Sequence, residues 1–265
     1  MPLSNAVIWI TGASSGIGEA IALAVSKLEN VKLVLSARRS DELQRVAIQT
    51  GLPPSNVLVL PMDMTALDSL PNHVERVRQR FGRIDYLFQN AGITQRSTVL
   101  DTDFSVYQRL MDVNFFGVVA LTKAVLPLML AQGSGHFIVT SSVAGKLGTK
   151  QRSGYCASKH ALHGFFDALR AEVHNAGLRV TIVCPGYIKT AISVNALRAD
   201  GQTHGKMDDN QEKGMMPEEF AQRLLQAVSK GKEEVYIGGS EIYGIYLKRF
   251  LPGLLSRILR NREGT

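Results

Sequence analysis

Apolar residues recur along this chain in short blocks, and longer stretches with helical spacing separate them. Runs of strand length lie at 6–10, 32–35, 57–60, 86–88, 137–140, 180–183 and 235–237. Helical patterns fill the gaps at 18–27, 41–49, 67–81, 104–130, 154–175 and 218–229. Blocks that are apolar on successive residues suit strands buried on both faces. Their alternation with helices predicts an α/β fold, a parallel sheet covered on both sides. Pro217 stands at the first turn of the last helix, where a missing N–H costs nothing. One segment breaks the rhythm. Residues 187–216 are polar and rich in Gly, Asn, Asp and Gln. A loop of that length is functional or disordered. Its place after a strand and Pro185-Gly186 makes it a candidate substrate lid.

Composition bounds the function classes. A chain of 265 residues buries a sizeable core and is expected to form one domain over 1–265. Two cysteines, Cys156 and Cys184, cannot build a disulfide framework and read as reduced thiols. Residues 1–5 carry no basic cluster of a signal peptide. The apolar stretch 117–131 is broken by Lys123 and Pro127 and is short for a span of about 20 residues. A cytoplasmic protein is expected. The net charge of +7 raises nucleic acid as a partner. No zinc-finger spacing or RNP-type motif accompanies it, so none is expected. A basic surface equally suits a phosphate-bearing cofactor.

The turn Thr11-Gly12-Ala13-Ser14-Ser15-Gly16-Ile17-Gly18 follows the first strand and opens the first helix. Glycines there let backbone approach a pyrophosphate, and the helix N-terminus offers free N–H groups. Gly12, Gly16 and Gly18 are candidate cofactor residues, with Ser14, Ser15 and Ile17 of the same turn. The spacing differs from the G-x-G-x-x-G fingerprint, and the bland alternative is an ordinary glycine turn. The second strand runs into Ser36-Ala37-Arg38-Arg39. An acid usually holds the ribose 2′-hydroxyl of NAD here. Arg38 and Arg39 instead suit a 2′-phosphate, so NADP(H) is expected over NAD(H). The alternative is a solvated basic loop.

Tyr155 and Lys159 are four apart and share one helix face. A tyrosine hydroxyl is a poor base at neutral pH, and a nearby ammonium lowers its pKa. A tuned tyrosine protonates an alkoxide or deprotonates an alcohol. Ser142, after the strand 137–140, can donate a hydrogen bond to a substrate oxygen. Read alone, it is a turn serine. His160 and His163 lack a third metal ligand and read as packing or surface residues.

These motifs, with Asn90-Ala91-Gly92 and Pro185-Gly186, resemble those of the short-chain dehydrogenase/reductase family over nearly the whole chain. The runs 154–162 and 36–39 resemble its dehydrogenase/reductase member 7-like group. The resemblance implies a Rossmann-type doubly wound sheet of about seven parallel strands. It implies an NADP(H)-dependent interconversion of a carbonyl and an alcohol, with Ser142, Tyr155 and Lys159 catalytic. It matches Asn114 to the residue that holds a water beside the lysine; otherwise Asn114 is a helix-interior side chain bonding backbone. Asn90, Ala91 and Gly92 would support the adenosine ribose, and Asp63 the adenine. Pro185, Gly186, Ile188 and Thr190 would lie near the nicotinamide. Ser15 lacks the basic residue some NADP-binding members carry there. A homodimer or homotetramer and a small carbonyl or alcohol substrate are implied. A non-catalytic NADPH-sensing protein of this fold is the alternative.

The C-terminal extension 242–265 mixes apolar residues with Lys248, Arg249, Arg257 and Arg260. A basic amphipathic stretch can lie on a membrane surface, pack on a second subunit or roof a pocket. Subunit or substrate contact is favoured over peripheral membrane contact. Pro252-Gly253 precludes one straight helix.

Overall fold

The computed structural model describes residues 3–261, so 262–265 of the C-terminal extension lie outside the described residues. The strands are β1 Val7–Thr11, β2 Lys32–Ser36, β3 Val57–Val59, β4 Tyr86–Gln89, β5 Gly135–Thr140, β6 Leu178–Pro185 and β7 Glu234–Ile237. The helices are α1 Gly16–Val25, α2 Ser40–Gln49, α3 Leu70–Phe81, α4 Phe104–Met111, α5 Gly117–Gln132, α6 Ser153–Val173, α7 Asp209–Glu212, α8 Pro217–Ser229, α9 Tyr243–Phe250 and α10 Pro252–Asn261.

All seven strands form one parallel sheet in the order β3-β2-β1-β4-β5-β6-β7. The chain steps outward from β1 to β3, then returns to the free edge of β1 as β4. Trp9 therefore pairs with Val34 on one side and Leu87 on the other. This reversal opens a crevice beyond the carboxyl ends of β1 and β4, where such sheets take ligands.

Alternation along β1 divides the interior. Ile8 and Ile10 join α1, α2 and α8 in one core, through Ile21, Leu43 and Phe220. Val7 and Trp9 join α3, α5 and α6 in the other, through Val74, Leu121 and Phe166. Both faces of the strand are thus dry, which is why its sequence is continuously apolar. Trp9, Phe137 and Phe166 have no exposed surface, and burying such a side chain contributes about 2 kcal/mol or more.

Three expectations change in detail. The helix expected over 104–130 carries a π-helical turn at Asp112–Phe116 between α4 and α5. The continuous run Phe104–Gln132 is long and apolar enough to cross a membrane, unlike the shorter 117–131 stretch. Its Val118, Leu121, Val125 and Met129 are nevertheless buried in the core. The segment 187–216 is an ordered cover. Ile188 bridges to Met215, and Leu197 bridges to both Gln95 and Thr203. The segment's own Ser193 and Ala196 are fully buried. The C-terminal stretch divides at Pro252 into α9 and α10, which contact each other.

Candidate active site

The turn after β1 is drawn tightly against the end of β4. Gly12 has φ +66° and Gly16 φ +58°, the left-handed region that favours glycine. A Cβ on Gly12 would stand 2.9 Å from the Ala91 Cα, so the two loops touch through backbone. Thr11 locks them: its Oγ1 accepts from the N–H of Asn90 at 3.0 Å and of Ala91 at 3.1 Å. Gly12, Ser14, Ser15, Gly16 and Ile17 wall a cavity of about 900 Å³. Gly18 does not line it. A Cβ there would meet the Gly12 carbonyl oxygen at 2.2 Å, so its role is to seat α1 against the turn. Helix α1 begins two residues before the expected start, which puts its open N-terminal amides on the cavity.

At the end of β2, the Ser36 hydroxyl accepts from the Trp9 indole at 2.8 Å and is fully buried. Arg38 and Arg39 line the same cavity. Arg39 reaches the hydroxyls of Ser14 at 3.4 Å and Ser15 at 3.5 Å. Asp63 also lines it and accepts from the Thr65 N–H at 2.9 Å and hydroxyl at 2.8 Å. Burial pushes its carboxyl up, but the Thr65 bonds, Arg38 and Arg109 together hold it below the ordinary value. Asn90, Ala91 and Gly92 complete this wall. A backbone cradle with two guanidiniums at its rim fits the phosphates of a dinucleotide.

The acid/base groups enter from β5 and α6. Ser142 lies two residues beyond β5, and its Oγ accepts from the Ala144 N–H at 3.1 Å. Tyr155 and Lys159 project from the first turns of α6, 9 % and 4 % exposed. Both line the cavity with Ser142. Burial pushes the Tyr155 phenol up, while a hydrogen bond with Ser142 and the charges of Arg152 and Arg96 pull it down. The net direction is upward. This corrects the expectation that the neighbouring lysine lowers it. Lys159 Nζ stands 5.9 Å from the Tyr155 ring centroid and donates instead to the Thr140 carbonyl at 2.8 Å. Burial lowers Lys159 itself to about 8.

Asn114 sits in the π-helical turn and has no exposed surface. Its Oδ1 accepts from the Ile93 N–H, and its Nδ2 donates to the Ile93 carbonyl and the Ser158 hydroxyl, all at 2.9 Å. It stands behind the cavity wall. A Cβ on Gly92 would lie 3.2 Å from Asn114 Oδ1 and 3.4 Å from Lys159 Nζ, so both polar atoms converge on that glycine.

Pro185, Gly186, Ile188 and Thr190 line the cavity from the end of β6. A Cβ on Gly186 would collide with the Glu241 carboxylate, which accepts from the N–H of Tyr187 at 2.8 Å and of Gly239 at 2.9 Å. Glu241 thereby ties the start of the C-terminal helices to the Pro-Gly turn. Gln211 donates to the Ile188 carbonyl and to Thr190 Oγ1. Tyr243, Leu247, Leu255 and Ile258 of α9 and α10 close the cavity with apolar surface. Roofing the pocket is thus one role of the extension. His163 Nε2 faces the Ser141 hydroxyl at 3.0 Å, and His160 Nδ1 faces the Cys156 carbonyl at 2.7 Å.

Sequence reasoning missed Thr11, Arg96, Arg109, Arg152 and Glu241. Thr11 was legible as the last, polar residue of an apolar strand. The others carry no local signal; only the fold brings them to the cavity.

Comparison with known proteins agrees with this geometry. Residues 6–200 match the family model described as short chain dehydrogenase. A dehydrogenase/reductase SDR family protein 7-like from Drosophila melanogaster is 41 % identical, covering 98 % of this chain and 81 % of that protein. Dehydrogenase/reductase SDR family member 7B from Bos taurus is 38 % identical, covering 97 % and 81 %. An alcohol dehydrogenase from Thermococcus sibiricus, solved with 5-hydroxy-NADP, superposes with a TM-score of 0.75 at 27 % identity, covering 89 % and 97 %. The chain belongs to the short-chain dehydrogenase/reductase family of oxidoreductases.

Proposed function

We propose that the protein is an NADP(H)-dependent oxidoreductase interconverting a carbonyl and an alcohol, with Tyr155 as acid and base. One observation carries this reading. Ser142 and Tyr155 open into the same cavity as the glycine turn with Arg38 and Arg39. A nicotinamide, when bound, supplies or accepts the hydride. The chain's own residues handle the oxygen and its proton.

In reduction, Ser142 donates to the substrate carbonyl oxygen, and Tyr155 delivers its proton there as negative charge develops. Burial keeps the phenol protonated at neutral pH, the state this direction needs. In oxidation Tyr155 accepts the alcohol proton. Lys159, held on the Thr140 carbonyl, joins proton supply to cofactor binding. Asn114 fixes Ile93 and Ser158 around the lysine and, with a water, serves to refill the proton.

Arg38 and Arg39, with no acid at Ser36 or Ala37, favour NADP(H). Exposed Leu100, Phe104 and Phe116 support assembly as a homodimer or homotetramer. Two buried free cysteines suit a cytoplasmic setting.

A cofactor-consumption screen over ketones, aldehydes, steroids and retinoids tests the proposal. Turnover with NADPH, faster than with NADH, is expected. Preference for NADH would refute the cofactor assignment. Tight NADPH binding with no turnover on any carbonyl would leave a cofactor-sensing protein in place of an enzyme.

A further inference from the structure

The helices that roof the cavity have an outer side that the fold leaves bare. Ile245 and Leu255 are buried, and with the half-buried Leu247 and Leu259 they pack on Val143 and Leu147. That is the inner side of α9 and α10. Tyr243, Tyr246 and Phe250 recur at i, i+3 and i+7 on α9, a spacing that puts them on one face. All three are exposed, Phe250 to 74 %. Leu251 between the helices, and Leu254 and Ile258 on α10, add to this exposed apolar surface. Apolar patches left open on a folded protein mark interaction sites.

Charge selects the occupant. Residues 242–261 hold Lys248, Arg249, Arg257 and Arg260 and no acid. All four cations are exposed. Lys150 adds a fifth beside them, donating to the Arg260 carbonyl at 2.8 Å. A second copy seated by two-fold symmetry would set these cations against their own images. An anionic lipid surface neutralises them instead, and long basic side chains lay their stems on apolar surface while the heads stay at the phosphates. Position adds a further reason. Tyr243 and Ile258 line the cavity and are also exposed, 68 % and 43 %, so this face borders the cavity. The cavity wall there, with Leu247, Leu255 and Leu259, is apolar.

We propose that the outer face of α9 and α10 docks on an anionic lipid surface, with Phe250, Leu251 and Leu254 entering the headgroup region and the cations meeting lipid phosphates. The cavity then borders the bilayer and admits a carbonyl compound dissolved in it, a consequence that rests on the oxidoreductase reading.

Co-sedimentation of the full chain with vesicles tests it, phosphatidylcholine alone against phosphatidylcholine containing phosphatidylserine. The wild type is expected to bind the anionic vesicles about tenfold or more tightly than the neutral ones. Arg249→Glu with Arg257→Glu should weaken that binding about thirtyfold or more. Phe250→Ser with Leu254→Ser should weaken it about tenfold or more. None of these four residues lines the cavity, and all are exposed, so melting temperatures should stay close to wild type. Lys27→Glu with Arg76→Glu, after α1 and on α3, changes the net charge equally and should leave binding within about threefold.

Equal loss in the Lys27 and Arg76 pair would overturn the proposal, since net charge alone would then hold the protein to lipid. So would a wild type that ignores anionic vesicles. Sedimentation velocity in which Phe250→Ser with Leu254→Ser abolishes self-association would then assign the face to a second copy. Vesicle binding is read without substrate. Its failure refutes the lipid face alone, and binding with no turnover on any carbonyl refutes the oxidoreductase reading alone.

Discussion

Lys159 donates its ammonium to the Thr140 carbonyl oxygen at 2.8 Å, across the seam between α6 and the end of β5. The lysine proposed to serve the reaction is therefore also a strut between helix and sheet. The residue is 4 % exposed, and burial brings its amine down from the ordinary 10.5 to about 8. A charged group held this way is costly to the fold and useful to the site.

The cost has a sign and a window. Below pH 8 both folded and unfolded chains hold the lysine proton, and the full penalty is present. Between about 8 and 10.5 the unfolded chain binds more protons, so stability rises with pH. The shift corresponds to about 3 kcal/mol. Denaturant unfolding of wild type and Lys159→Met should show their difference moving in favour of the wild type by about that amount across the window. A difference that stays flat would contradict a buried, charged Lys159.

Cofactor choice should follow the two arginines after β2. A charge-assisted bond to phosphate is worth about 2 kcal/mol, or roughly thirtyfold in affinity. The double substitution Arg38→Ala and Arg39→Ala should raise the KM for NADPH by that factor or more. The KM for NADH should move by less than about threefold. Steady-state kinetics with both cofactors checks this.

Gly18 should behave as a packing residue. Alanine is about 1 kcal/mol better than glycine inside a helix. Here its Cβ would stand 2.2 Å from the Gly12 carbonyl oxygen and 2.7 Å from the carbonyl carbon, both backbone atoms. Overpacking against backbone costs about 3 kcal/mol or more and outweighs the propensity gain. Gly18→Ala should unfold at lower temperature even without cofactor, as calorimetry would show. A variant as stable as wild type would return Gly18 to a purely ligand-facing role.

The sheet was legible because its strands are dry on both faces. The run 7–10 is apolar because α1 covers one side and α5 the other. The glycine turn and the Tyr155–Lys159 pair were legible because each is local and set by backbone or helix geometry. The Arg96–Asp208 pair spans 112 positions, and Arg152–Asp208 spans 56; no window along the chain contains either. The cover segment hid its order because a few residues, Ser193, Ala196 and Leu197, do its packing within a polar stretch. The π-helical turn at Asp112–Phe116 was invisible because one wider turn leaves helical periodicity nearly unchanged.

The direction of the Tyr155 shift was misjudged for a physical reason. Spacing places Lys159 on the same helix face but says nothing of where its ammonium points. Its bond to Thr140 and the burial of the phenol are tertiary facts, and they outweigh proximity.

The measurement that bears most directly on the mechanism is Tyr155→Phe, assayed for NADPH binding and for reduction of the best carbonyl from the screen. Removing only the hydroxyl leaves the cradle intact, and general acid catalysis contributes about 10²–10⁴ in rate. The account predicts a kcat lower by roughly 10³ with NADPH affinity within about threefold of wild type. A variant that turns over at the wild-type rate would contradict it.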